Sequence, residues 1–122
     1  MSEPERDLGR LVASLEPRLH AERYAFEATS EETLSGGTFA LVREDEGVSA
    51  IRISATGEWA RISLGVHSSL EAVGLTALLS RQLAEAGISA NIIAGLRHDH
   101  IFIPWDRRRE ALDLLQSLGR ES

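Results

Sequence analysis

The sequence has 122 residues and a mass of 13.3 kDa, the size of one compact domain, which excludes most multidomain enzymes. With 43% hydrophobic and 26% charged residues it can bury a core, and its formal charge of −6 repels phosphate backbones, so nucleic acid is not an expected partner. All 13 basic residues are arginine and there is no cysteine, which removes lysine Schiff bases, a Walker-type phosphate lysine, disulfides, thiolate nucleophiles and cysteine-held metals.

The acidic excess lies at the front: residues 1–46 hold 11 acids against 5 arginines, and residues 47–122 are balanced at 8 and 8. The start from Met1 to Asp7 has neither the basic nor the apolar region of a signal peptide, and no apolar run approaches the roughly 20 residues of a membrane span. A cytoplasmic location without a membrane contact is therefore expected.

In chain order, residues 4–15 read as a short amphipathic helix, with Pro4 in its first turn and Leu8, Leu11, Val12 and Leu15 on one face until Pro17 stops it. Apolar stretches at Tyr24 to Ala28, Thr38 to Arg43 and Val48 to Ser54 read as strands, the last two forming a hairpin whose acidic turn ends in Gly47. From Trp59 the alternation of Ala60, Ile62, Leu64 and Val66 is that of a strand with one buried face. Ser68 with Glu71 forms a capping box, and Ala72, Leu75, Leu79, Leu83 and Ala86 trace a helical stripe that Gly87 ends. Ile88 to Ala94 and His98 to Ile103 read as two further strands around a turn at Gly95 to Arg97. A last helix is expected between a cap at Asp106 and Gly119.

The second half is thus β-α-β-β-α, one strand short of the split ferredoxin-like unit. Arg23 to Thr29 is the candidate for the missing strand. The expected fold class is α+β: an antiparallel sheet with helices on one face. Strand parity puts Trp59, Arg61, Ser63, Ser89, Asn91, Ile93, His98, His100 and Phe102 on the opposite face. That face is too apolar to be left in water, so it should pack on the N-terminal hairpin, on a second subunit, or on both.

Three features point to chemistry. The turn Val66-His67-Ser68-Ser69-Leu70 joins a strand end to a helix start, where backbone N–H groups and the helix dipole favour an anion such as a carboxylate. Gly74, close behind, lets a neighbouring backbone or ligand approach. His98 and His100 fall on one side of a strand, where they could grip a metal with His67 or His20 as a third ligand. The alternative for the histidine pair is simple hydrogen bonding at a strand end. A serine hydrolase lacks its Gly-x-Ser-x-Gly elbow, no Gly-rich phosphate loop is present, and Arg107-Arg108-Arg109 reads as a solvated helix start.

The run VHSSLEAVGLTALLSRQLAEAGISANIIAGLRHDHIFIP, residues 66–104, resembles the ACT domain, in particular the small bacterial ACT proteins whose halves are similar to the tandem ACT domains of aspartokinases. Phe39 to Arg43 and Trp59 to Gly65 extend the likeness. The resemblance implies a degenerate N-terminal ACT-like half, 1–57, and a C-terminal ACT-like half, 58–122, packed as one unit. It also implies a regulatory protein that binds a small molecule, typically an amino acid, and is not an enzyme. Carried onto this chain, the ACT ligand positions are His67, Ser68, Ser69, Leu70, Val73 and Gly74, with Ser89, Ala90, Asn91 and Ile92. A glycine frequent in the ACT strand-to-helix turn is replaced here by His-Ser-Ser-Leu, which leaves the ligand open. A homodimer is expected, and no cofactor. The competing readings are a histidine-dependent metal protein or enzyme, and an interaction module that binds no ligand.

Overall fold

The computed structural model describes residues 7–67, 69 and 73–121. Among the described residues, three α-helices and seven strands form one mixed α+β unit. In chain order these are α1 (Leu8–Ala13), β1 (Pro17–Leu19), β2 (Tyr24–Thr29), β3 (Thr38–Glu44), β4 (Gly47–Ile53), β5 (Trp59–Leu64), α2 (Leu75–Glu85), β6 (Asn91–Ala94), β7 (Asp99–Pro104) and α3 (Arg108–Glu121). Every strand pairing is antiparallel, in the order β3-β4-β2-β5-β7-β6, with β1 beside β5 on the edge that β2 also meets.

The strand behind Pro17 was not expected. β1 pairs Pro17, Arg18 and Leu19 with Leu64, Ser63 and Ile62, whereas β2 meets β5 only at Tyr24 and Trp59. The role assigned to Arg23 to Thr29 is therefore shared. β1 covers one half of the β5 edge, and β2 touches its other end before running along β4 in a six-residue register. Pro17 can open a strand because its missing N–H lies at the strand's first position.

The helix limits also move. Asp7, with extended backbone, caps α1 by accepting the Arg10 N–H at 3.0 Å, so the helix starts at Leu8; Pro4, expected in its first turn, lies outside the described residues. α2 starts at Leu75, behind Gly74 at φ +101°, and not at Ser68. The proposed Ser68–Glu71 capping box lies outside the described residues. α2 ends as expected: Gly87 is left-handed at φ +73°, its N–H bonds Ala84 O, and the Ile88 N–H reaches back to Leu83 O. Asp106 sits inside a 3₁₀ turn, Trp105–Arg107, instead of capping α3, and α3 continues through Gly119 to Glu121.

The helices lie on one face of the sheet. Ala60, Ile62 and Leu64 of β5 and Ile101 and Ile103 of β7 meet Leu11, Leu15, Leu75, Leu79, Leu83 and Leu115, all buried. The opposite face holds a second cluster of Tyr24, Ile51 and Phe102, with Phe39, Trp59 and Ile93 against it. Phe39 on β3 touches Phe102 on β7 with ring centroids 5.3 Å apart. Four strand spacings separate these two strands, about 19 Å in a flat sheet, so the sheet curls and the hairpin closes over its own second face. The expected cover for that face is thus supplied by the chain itself.

Candidate functional site

β5 delivers the chain to the mouth of α2. Gly74 caps this helix without any side-chain hydrogen bond, and no acidic residue stands in the first turn, where the positive end of the helix dipole lies. Of the expected ligand positions here, His67, Ser69 and Gly74 are half-buried and Val73 is 83% exposed, while Ser68 and Leu70 lie outside the described residues. Ser69 already has an interaction partner. The space a side chain at Gly74 would need is partly taken by Leu8 of α1, 3.3 Å from the position of an added Cβ. The glycine thus serves both its left-handed conformation and a close helix contact.

Within one chain, Ser89 to Ile92 do not meet this mouth. Ser89 and Ala90 follow the C-terminal end of α2, whose 11 residues span about 16 Å. Ala90 and Ile92 pack against the helix-side core, and Ser89 and Asn91 are exposed. The neighbour of the mouth is instead the turn between β6 and β7: the His98 Nδ1–H donates to Val66 O at 3.3 Å, and the His67 and His98 rings lie 6.2 Å apart. Leu96 in that turn is 66% exposed. β6 is the edge of the sheet.

His100 hydrogen-bonds to side chains of β5. Its Nδ1 lies 2.9 Å from Ser63 Oγ and 3.4 Å from Arg61 Nη2, and Ser63 Oγ lies 2.7 Å from His20 Nε2. A guanidinium can only donate, so His100 Nδ1 is an acceptor. Ser63 then spends its proton on His100 and accepts from the His20 Nε2–H. Arg61 is held in turn by Tyr24 OH at 3.0 Å and by the Phe39 ring, whose centroid is 4.3 Å from the guanidinium carbon. The convergence of His98, His100 and His67 on one ion is not met. Among the described residues no group of three or more His, Asp or Glu is arranged to hold a metal, and the Arg61 cation faces the ring that would have to ligate it. Parity placed Ser63, Arg61 and His100 on one face. The sequence offers His20 only as a third metal ligand; its place beside Ser63 follows from β1, whose Pro17 reads as a helix stop.

This network makes a testable pH dependence. Burial first, then the Arg61 charge and the neighbouring His20 and His98, push the His100 pKa down to about 4. The unfolded chain takes up its proton near 6.5, so the stability that rests on neutral His100 is intact above about pH 6.5 and is lost as the pH falls from there toward 4. For a ring that is half exposed, solvent screening reduces this to an order of 1 kcal/mol. His100→Asn keeps an acceptor and cannot titrate. Urea unfolding from pH 7 to 4 should show a shallower loss of stability in this variant than in the parent. Parallel curves would overturn the assignment.

Two family models for the ACT domain match the chain, one over residues 54–117 and one over residues 3–64. No curated protein matches it. Among solved structures, a Vibrio cholerae protein of unknown function, described as a possible transport protein, is 37% identical over 92% of this chain and 95% of its own, with a TM-score of 0.79. A structural-genomics protein from Agobacterium tumefaciens shares the fold at 17% identity, with a TM-score of 0.71 over 86% of this chain and 89% of its own. ACT domains generally bind small molecules in regulation. With the helix-backed antiparallel sheet and matches to both halves of its length, the chain belongs to the ACT-domain family.

Proposed function

We propose that this protein is a non-catalytic, cytoplasmic ACT regulator that divides near residue 57 into two ACT-like halves and binds a small carboxylate, an amino acid, at the mouth of α2. The observation that carries the reading is the helix start itself: a left-handed Gly74, no side-chain cap and no acid in the first turn. The ligand positions assigned to this chain's own mouth are His67, Ser69, Val73 and Gly74, together with Ser68 and Leu70, which lie outside the described residues. Ser89, Ala90, Asn91 and Ile92 come from a second copy. If β6 pairs antiparallel with β6 of a partner about a two-fold axis, the start of the partner's strand lies beside the end of the first, next to the mouth. The exposed Val73 and Leu96 at this end of the sheet support such a cover. Ligand occupancy then changes the interface, which is the coupling a regulator requires.

Thermal-shift screening of the twenty amino acids, followed by calorimetry, should find at least one that stabilises the protein. Ala77, exposed at the third position of α2, offers the control. Ala77→Glu places a carboxylate at the first-turn N–H groups, so it should leave the fold as stable as before and abolish the ligand shift. Silence from all twenty at millimolar concentration, or an undiminished shift in Ala77→Glu, would refute the reading.

A further inference from the structure

A second concave feature lies between the end of β1 and the first turn of α3. Leu19, His20, Trp105, Arg108, Arg109 and Leu112 line a cleft of about 410 Å³, within the roughly 300–1,000 Å³ of small-molecule sites. Among the described residues no carboxylate lines it, although the chain as a whole carries a charge of −6. The neighbouring cleft, which shares Trp105, differs: Arg23 is balanced there by Glu58 and Asp106.

The arginine run that the sequence suggests is a solvated face divides into three roles. Arg107 is spent, donating to Ala86 O at 2.9 Å and Gly87 O at 3.2 Å at the end of α2 and pairing with Glu110 at 2.8 Å. Arg108 is fixed, its guanidinium carbon 3.9 Å from the centroid of the Trp105 ring and its Nη1 donating to Trp105 O at 2.8 Å. Most of its five donors remain free. Arg109 is exposed and makes no hydrogen bond or ion pair among the described residues, and Glu110, already paired with Arg107, does not neutralise it. Two cations at the positive end of a helix dipole are unfavourable for the helix alone. An anion between them removes that conflict.

We propose that this cleft is a second ligand site, for a compact organic anion whose carboxylate or phosphate is gripped by Arg108 and Arg109 and whose apolar body rests on Leu19, Trp105 and Leu112. Either group presents a pair of oxygens that a planar guanidinium fork can bind bidentately. His20 reports occupancy. Burial, then the charges of Arg61 and Arg18, hold its pKa below the ordinary value against the opposing pull of Glu22. With its Nε2–H committed to Ser63, an anion in the cleft favours protonation at Nδ1 and moves that pKa upward.

Calorimetric titration with phenyl phosphate, benzoate and inorganic phosphate tests this site, with the His20 ring protons followed by NMR. One of the organic anions should bind, raise the pKa of His20, and lose affinity at least about tenfold in Arg109→Gln. Stronger binding of phenyl phosphate assigns the site to phosphate monoesters, and stronger binding of benzoate to carboxylates. Ala77→Glu should leave this binding unchanged, so a failure here is distinct from a failure at the α2 mouth. Three results would overturn the site: no binding at millimolar concentration, equal binding by Arg109→Gln, or inorganic phosphate binding as tightly as the organic anions.

Discussion

Replacing Phe102 by alanine is expected to destabilise the protein by about 3–5 kcal/mol, read as a lower midpoint in urea unfolding. Phe102 is fully buried on the sheet face that carries no helix. Its ring meets Tyr24, Phe26 and Phe39 edge-on at centroid distances of 5.4, 5.5 and 5.3 Å, so one side chain joins β7 to β2 and β3. Such pairs add about 0.5–1.5 kcal/mol each beyond the area they bury. The loss should therefore have a structural signature. With the hairpin loosened, Phe39 leaves Arg61 and His100, and the His100 pKa should climb from about 4 toward 6.5. Phe102→Leu, which keeps most of the volume, should cost far less and leave His100 low. A cost below about 1 kcal/mol for Phe102→Ala would mean that the hairpin is held elsewhere.

Period and parity carried most of the fold. The alternation Ala60-Ile62-Leu64 and the positions of Ile101 and Ile103 mark the helix-facing core, and the opposite parity of Arg61, Ser63, His100 and Phe102 marks the face beneath the hairpin. What stayed illegible was short or chemically ambiguous. β1 has only three residues and opens on Pro17, which reads equally as a helix stop. Six residues lie between Ser68 and Leu75, and the local capping signal at Ser68 cannot reveal that the left-handed Gly74 sets the start of α2. The arginine run had no periodicity to sort it, because the roles of Arg107 and Arg109 depend on the end of α2 and on β1, both distant in sequence; only the Arg108–Trp105 contact is local. The helix mouth was visible as a type of site. Its separation from Ser89 and Ala90 follows from chain order, since both residues come after the far end of α2.

Gly57→Ala should be nearly as damaging, at about 3 kcal/mol or more. A Cβ there would stand 2.3 Å from Tyr24 O, 2.5 Å from Tyr24 C and 2.9 Å from Tyr24 N, against backbone that cannot swing aside as a side-chain tip would. The site matters because Tyr24 is the single residue through which β2 pairs with β5, at Trp59, and its hydroxyl holds Arg61. Gly57 is itself tied into this corner, donating to Ser54 O at 3.0 Å and accepting from Arg23 Nε at 2.8 Å. Moving Tyr24 therefore pulls the hairpin from the sheet and releases Arg61 from beneath it. Gly36→Ala is the matched control: nothing lies within 4 Å of an added Cβ, so its effect should be within about 0.5 kcal/mol of zero. If both variants unfold at the same urea concentration, close backbone packing at Gly57 is not what joins the two halves of the sheet. If only Gly57→Ala weakens the protein while the Phe102 ring contacts persist by NMR, the corner and the aromatic cluster hold the hairpin independently, and the polar network of His20, Ser63 and His100 depends on both.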